Sequence, residues 1–88
     1  MEITDIEFAV LGAVYFVEPF EKILEEVPFS KPIVADALKM MIDRGYITPM
    51  VWDDERSLHV RTFFYDTDNM DAYFYQATRA GLIVHTSL

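Results

Sequence analysis

The chain contains no cysteine, three glycines, seven basic residues against fifteen acidic ones, and no apolar run longer than the ten residues Phe8 to Val17. Without cysteine there is no disulfide framework and no thiolate metal site, and nothing points to an oxidising compartment. Three glycines are too few for a glycine-rich phosphate loop. The apolar run falls well short of the roughly 20 residues that span a bilayer. The opening Met1-Glu2, followed by Asp5 and Glu7, lacks the basic start of a signal peptide. These absences predict a soluble, cytoplasmic protein without a membrane partner. His59 and His85 stand 26 residues apart, with no ligand spacing of the i, i+4 kind. Asp66 to Asp71 has the opening acids of a calcium loop but neither its sixth-position glycine nor its closing glutamate, and reads as a turn and helix cap. No cofactor, metal or catalytic site is expected, and the chain does not read as an enzyme.

What is present is apolar and acidic. Residues 1–88 make a single domain, and a chain of this length buries only roughly two-thirds of its unfolded surface. At 52% hydrophobic and 15% aromatic it carries more apolar surface than a small monomer easily hides, so a homodimer is expected. The net charge of −8 is unevenly spread: residues 1–29 are net −6, residues 30–65 are neutral, and residues 66–88 are net −2. Five of the seven basic residues fall in that neutral middle segment.

Thr4-Asp5-Ile6-Glu7 fits a capping box, opening a first helix from about Asp5 to Val17. Its apolar run predicts burial on more than one face, part of it in a subunit contact. After Glu18-Pro19, Phe20, Ile23, Leu24 and Val27 recur at helical spacing and give a short second helix ended by Pro28. Ser30 is placed to cap a third helix with a buried stripe of Val34, Ala37, Leu38, Met41 and Ile42, which Gly45 stops. Tyr46 to Trp52 reads as a strand, confined to a sheet edge by Pro49. The polar turn "DDERS" leads to a second strand, Leu58 to Tyr65, with His59, Arg61, Phe63 and Tyr65 on one face. Met70, Tyr73, Phe74 and Ala77 predict a fourth helix up to Gly81, and Leu82 to Thr86 a short closing strand. A strand over Ala72 to Thr78 is the alternative, with poorer alternation.

Three helices with a short second and a glycine-terminated third, then a hairpin with a charged tip, resemble the winged helix-turn-helix arrangement over Ile3 to Tyr65. The stretch "EKILEEVPFSKPIVADALKMMIDRGYI" is similar to that of the MarR-like and PadR-like bacterial transcription regulators. There, a short helix, a capped turn and a recognition helix lead to glycine and an aromatic or aliphatic pair. "DDERS" resembles the Asp-x-Arg wing tip of the MarR-like proteins, with Asp54 and Arg56 at the matching places. The fold so implied is α+β: a winged helix with a three-helix core and a two-stranded β-hairpin wing, here with an additional C-terminal helix and the short terminal strand, and dimerisation through helix one, helix four or both. The function implied is that of a small homodimeric transcription regulator. Its third helix would enter the major groove of double-stranded DNA, and its wing arginine would reach a phosphate or the minor groove. The DNA-contacting set is then Ser30, Lys31, Lys39, Arg44, Arg56, His59 and Arg61. The sequence departs from the pattern: "VPFSKP" replaces a glycine-rich turn, the wing tip carries three acids beside its single Arg56, and no ligand- or signal-sensing domain is expected to follow.

DNA affinity comes largely from neutralising phosphates and releasing counterions. Against the basic set stand Asp36 on the outward face of helix three and Asp53, Asp54 and Glu55 at the wing tip. A neutral reading surface is poor for nucleic acid and ordinary for a protein partner. The alternative function is therefore a winged-helix protein–protein interaction module that does not bind DNA, using the acidic first two helices and the His59 to Tyr65 face. Met40 is the apolar residue of helix three expected to face a partner.

Overall fold

The computed structural model describes residues 3–87 of the 88. Among them, four α-helices pack on one four-stranded antiparallel sheet, an α+β domain with strand order β1-β4-β2-β3. Helix α1 spans Asp5–Ala13 and opens with the capping box: the Thr4 amide donates to Glu7 Oε1 at 2.9 Å, and the Glu7 amide donates to Thr4 Oγ1 at 3.2 Å. It stops four residues earlier than its apolar run predicts. The Val14 carbonyl accepts from the Ala77 amide at 2.8 Å instead of continuing the helix, and the chain extends into strand β1, Glu18–Pro19.

Helix α2, Phe20–Glu26, buries Phe20 and Ile23. Helix α3, Lys31–Asp43, buries Val34, Ala37, Leu38 and Met41, with Ile42 half-buried against the core. Ser30 takes the N-cap position, but its side chain makes no capping hydrogen bond. Gly45 closes α3 in the left-handed conformation at φ +79°. The Tyr46 amide donates to the Met41 carbonyl at 2.8 Å and the Gly45 amide to the Ile42 carbonyl at 3.0 Å, the paired bonds of a Schellman ending.

Strand β2, Ile47–Asp53, lies inside the sheet between β3, Leu58–Arg61, and β4, Phe74–Ala77. Pro49 therefore does not mark an edge strand. Its carbonyl faces the β3 side, where it accepts from the Thr62 amide at 3.1 Å, so its missing donor falls just past the end of β3. On the other side Pro49 sits opposite Tyr75, at a position where the ladder needs no N–H from it. At the hairpin tip Asp53 Oδ1 accepts from the Glu55 and Arg56 amides at 3.0 and 3.3 Å, and Ser57 takes φ 54°.

The last twenty residues reverse the expected order. The helix predicted from Met70 is only a 3-10 turn, Met70–Ala72, and the stretch after it is β4, pairing Phe74 to Ala77 with Met50 to Ile47. The alternative strand reading was the better one. The segment expected to be a closing strand is helix α4, Arg79–Thr86, capped by Thr78 Oγ1, which accepts from the Gly81 amide at 3.1 Å. Gly81 is not a stop but a point of close approach, since a Cβ there would overlap the Tyr46 carbonyl oxygen. The core runs between helices and sheet through Val10, Leu11, Val14, Phe20, Ile23, Leu38, Met41 and Tyr75. No helix among the described residues is long and apolar enough to cross a membrane.

Candidate interaction surface

Helix α3 and the β2–β3 hairpin carry the basic residues singled out above, and the fold gives most of them an acid of their own. Lys31 Nζ lies 3.2 Å from Asp71 Oδ2, and Lys39 Nζ lies 3.7 Å from Asp36 Oδ1. Arg44 Nη1 lies 3.4 Å from Glu7 Oε2, and Arg56 Nε lies 3.6 Å from Asp53 Oδ2. Three of these pairs are largely exposed and contribute little to stability, about 0–1 kcal/mol each. Their consequence is for charge: each cation carries an anion with it to any partner.

Arg61 is the exception. It is exposed, and among the described residues it has no carboxylate within ion-pair distance. The basic and aromatic face expected along residues 59 to 65 is divided. His59 is half-buried between Trp52, 5.0 Å between ring centres, and Phe74, 4.4 Å away. Strand β3 ends at Arg61, so Phe63 and Tyr65 belong to the following loop. There Arg61, Phe63 and Tyr65 line an open cleft of about 310 Å³ together with Ile42, Thr48 and Pro49. Burial and, secondarily, the nearby Asp43 raise the Tyr65 hydroxyl above its ordinary pKa.

Two of the exposed apolar places lie on either side of α3. On one side α1 and α3 form a groove of about 270 Å³ lined by Ile6, Ile33, Ala37 and Met40 and by Thr4, Glu7, Asp36 and Arg44. Met40 and Ile33 are 52% and 49% exposed. On the other side is the loop, whose Phe63 and Phe64 are 82% and 90% exposed. Met40 as a contact residue is readable from the helical pattern. Ile6 and Ile33 are not, because the groove exists only once two helices distant in sequence are side by side.

The first helix was expected to offer subunit surface, and the chain covers part of it itself. His85 of α4 stacks on Phe8 with 4.4 Å between ring centres, and its Nδ1 is hydrogen-bonded to the Tyr15 hydroxyl at 2.5 Å. Phe16 beyond the helix end is 79% exposed. Comparison with known protein families, with curated proteins and with solved structures finds no match to this chain.

Proposed function

We propose that this chain is a winged-helix module for protein association that does not bind DNA. The winged-helix reading is supported by the order of elements, in which α1, β1, α2 and a glycine-terminated α3 lead into β2. It is supported also by β1 and β2 flanking a common antiparallel partner. Here that partner is β4, with β3 and the 3-10 turn intervening in sequence between the two wing-like strands.

The association reading rests on the pairing of Lys31, Lys39, Arg44 and Arg56 with Asp71, Asp36, Glu7 and Asp53. A phosphate approaching these cations meets the carboxylates beside them, so little counterion release rewards the contact. The rival reading, a DNA-binding transcription regulator, draws on Arg61, exposed and without an acidic partner. One such arginine supplies a salt slope of about −0.9, whereas binding through 6–10 phosphates gives slopes several times steeper. The deciding experiment is gel retardation of random duplex. At about 50 mM salt and micromolar protein no retardation is expected. Retardation that disappears steeply with added salt and weakens in Arg56→Ala would overturn the proposal in favour of the regulator.

A further inference from the structure

We propose that the cleft beside the end of β3 takes an extended segment of a partner protein, in which an acidic residue directly precedes an apolar one, paired to β2 as a continuation of the sheet. The inference rests on the protein-association reading and names the chemistry of the partner.

The two strands of the hairpin differ in reach. Their register ends with Met50 opposite Arg61, followed by one last bond from the Thr62 amide to the Pro49 carbonyl, whereas β2 begins at Ile47. Hydrogen bonds leave an antiparallel strand alternately to its two sides. The Tyr46 carbonyl accepts from the Thr78 amide at 2.9 Å on the β4 side, and the Pro49 carbonyl serves the β3 side. Ile47 therefore turns its N–H and C=O to the side that β3 has already left. There it has no hydrogen-bond partner among the described residues, although Ile47 is only 2% exposed. Buried main-chain groups without a partner are rare. Ile47 lines the cleft of about 310 Å³ between this end of β2 and the loop of residues 62–65. An extended backbone lying in it satisfies both groups, which neither a compact ion nor an isolated side chain does.

Alternation then assigns the side chains. The residue opposite Ile47 points, as Ile47 does, to the helix side of the sheet, where Ile42 and Tyr65 line the cleft. Asp43 lies close enough to Tyr65 to act on its hydroxyl, so this side disfavours a carboxylate and takes an apolar group. The residue opposite Thr48 points the other way, to the face that Arg61 shares with its partner Met50. Arg61 has no carboxylate within ion-pair distance among the described residues, and an acidic side chain here meets it. Both groups of Ile47 pair with one residue only in the antiparallel arrangement, and that direction places the acid before the apolar residue. Thr62 already stands opposite Pro49, so pairing stops at this acidic–apolar step.

The test is an NMR titration of the full, isotope-labelled chain with the synthetic peptide Ser-Thr-Glu-Leu-Thr-Ser, blocked at both ends. The Ile47 and Arg61 amides should shift, the Ile47 amide should gain protection from hydrogen exchange, and the dissociation constant should lie at about 0.1–1 mM, as suits a short flexible ligand. Three altered peptides should each bind about 10-fold more weakly: glutamine for the glutamate, the acidic and apolar residues in reverse order, and an N-methylated leucine that cannot donate to the Ile47 carbonyl. Arg61→Gln should weaken the parent peptide similarly, and the altered peptides decide the matter without any change to the protein. No binding at about 5 mM peptide would overturn the proposal. So would binding indifferent to N-methylation and to the order of the pair. An Ile47 amide already protected in the free chain, and deprotected by Phe64→Ser, would give the cleft to the chain's own loop and overturn it too. Each of these leaves the association reading standing; retardation of duplex DNA is the separate result that removes that reading.

Discussion

Glu7 is the one buried charged side chain among the described residues, 3% exposed, and its neighbours account for it. One carboxylate oxygen accepts from the Thr4 amide and closes the capping box, while the other faces Arg44 across the α1–α3 contact. Glu7→Ala deletes both roles and should cost about 1–3 kcal/mol in urea unfolding. Glu7→Gln keeps an acceptor for the cap and should cost less, so its own loss against the wild type reports the charge and the difference between the two variants reports the cap. The glycines separate in the same way by what surrounds them. Gly45 has open space around it and a left-handed backbone at φ +79°, so Gly45→Ala should cost about 1–2 kcal/mol from conformation alone. At Gly81 the conflict is with a neighbouring backbone carbonyl, that of Tyr46, which cannot swing aside like a side chain. Gly81→Ala should therefore be the more damaging of the two, with overpacking that typically costs about 1–3 kcal/mol or more and loosening of α4 against the α3–β2 junction. Hydrogen exchange of the α4 amides would report it, and an unchanged α4 would contradict the close approach.

Strand β4 joins the two halves of the sheet, and its Tyr75 is the largest fully buried side chain. The hydroxyl donates to the Met70 carbonyl at 2.5 Å, and burial, helped by the nearby Tyr65, Tyr73 and Asp71, holds its pKa well above the ordinary value of 10.0. The folded state thus keeps a proton that the unfolded chain releases once pH passes about 10. Stability is full below that pH and falls as pH rises through it, by about 1.4 kcal/mol per pH unit for this one group. Tyr75→Phe should lower stability at pH 7 by about 1–3 kcal/mol by stranding the Met70 carbonyl, and should flatten the alkaline decline. An alkaline limb unchanged in the variant would assign it to other groups. The same strand shows why the sequence places the three helices and the β2–β3 hairpin but reverses helix and strand after Met70. Helices one to three announce themselves locally, through Thr4 with Glu7, through Pro28, and through Gly45. Between Met70 and Ala77 the apolar spacing satisfies a helix, while the competing state depends on hydrogen bonds to Ile47 through Met50, more than twenty residues earlier. Thr78 was the local signal available: as an N-cap it moves the helix start past Ala77. The interaction surface was legible to the same degree. Met40 and the Arg61–Phe63–Tyr65 grouping follow from periodicity, but the α1–α3 groove and the pairing of Lys31 with Asp71 require tertiary neighbours.

At the scale of the whole molecule the net charge of −8 decides how association should respond to salt. Two copies brought together repel through their acidic surfaces, and only a few cross-chain ion pairs of the Arg61 kind oppose this. Screening reaches to about 30 Å at 0.01 M ionic strength and to about 10 Å at 0.1 M. The described chain has principal extents of 39 × 26 × 21 Å, so at the lower strength nearly every charge on one copy acts on the other, and at the higher only those near the contact do. The gain from burying apolar surface is little changed over this range. Dimerisation of the wild-type chain should therefore strengthen as salt rises from about 0.01 to about 0.1 M, as read by sedimentation equilibrium. Duplex binding driven by counterion release has the opposite sign over the same range. Dimerisation that weakens with salt would mean that attraction between opposite charges at the contact outweighs the repulsion of the whole.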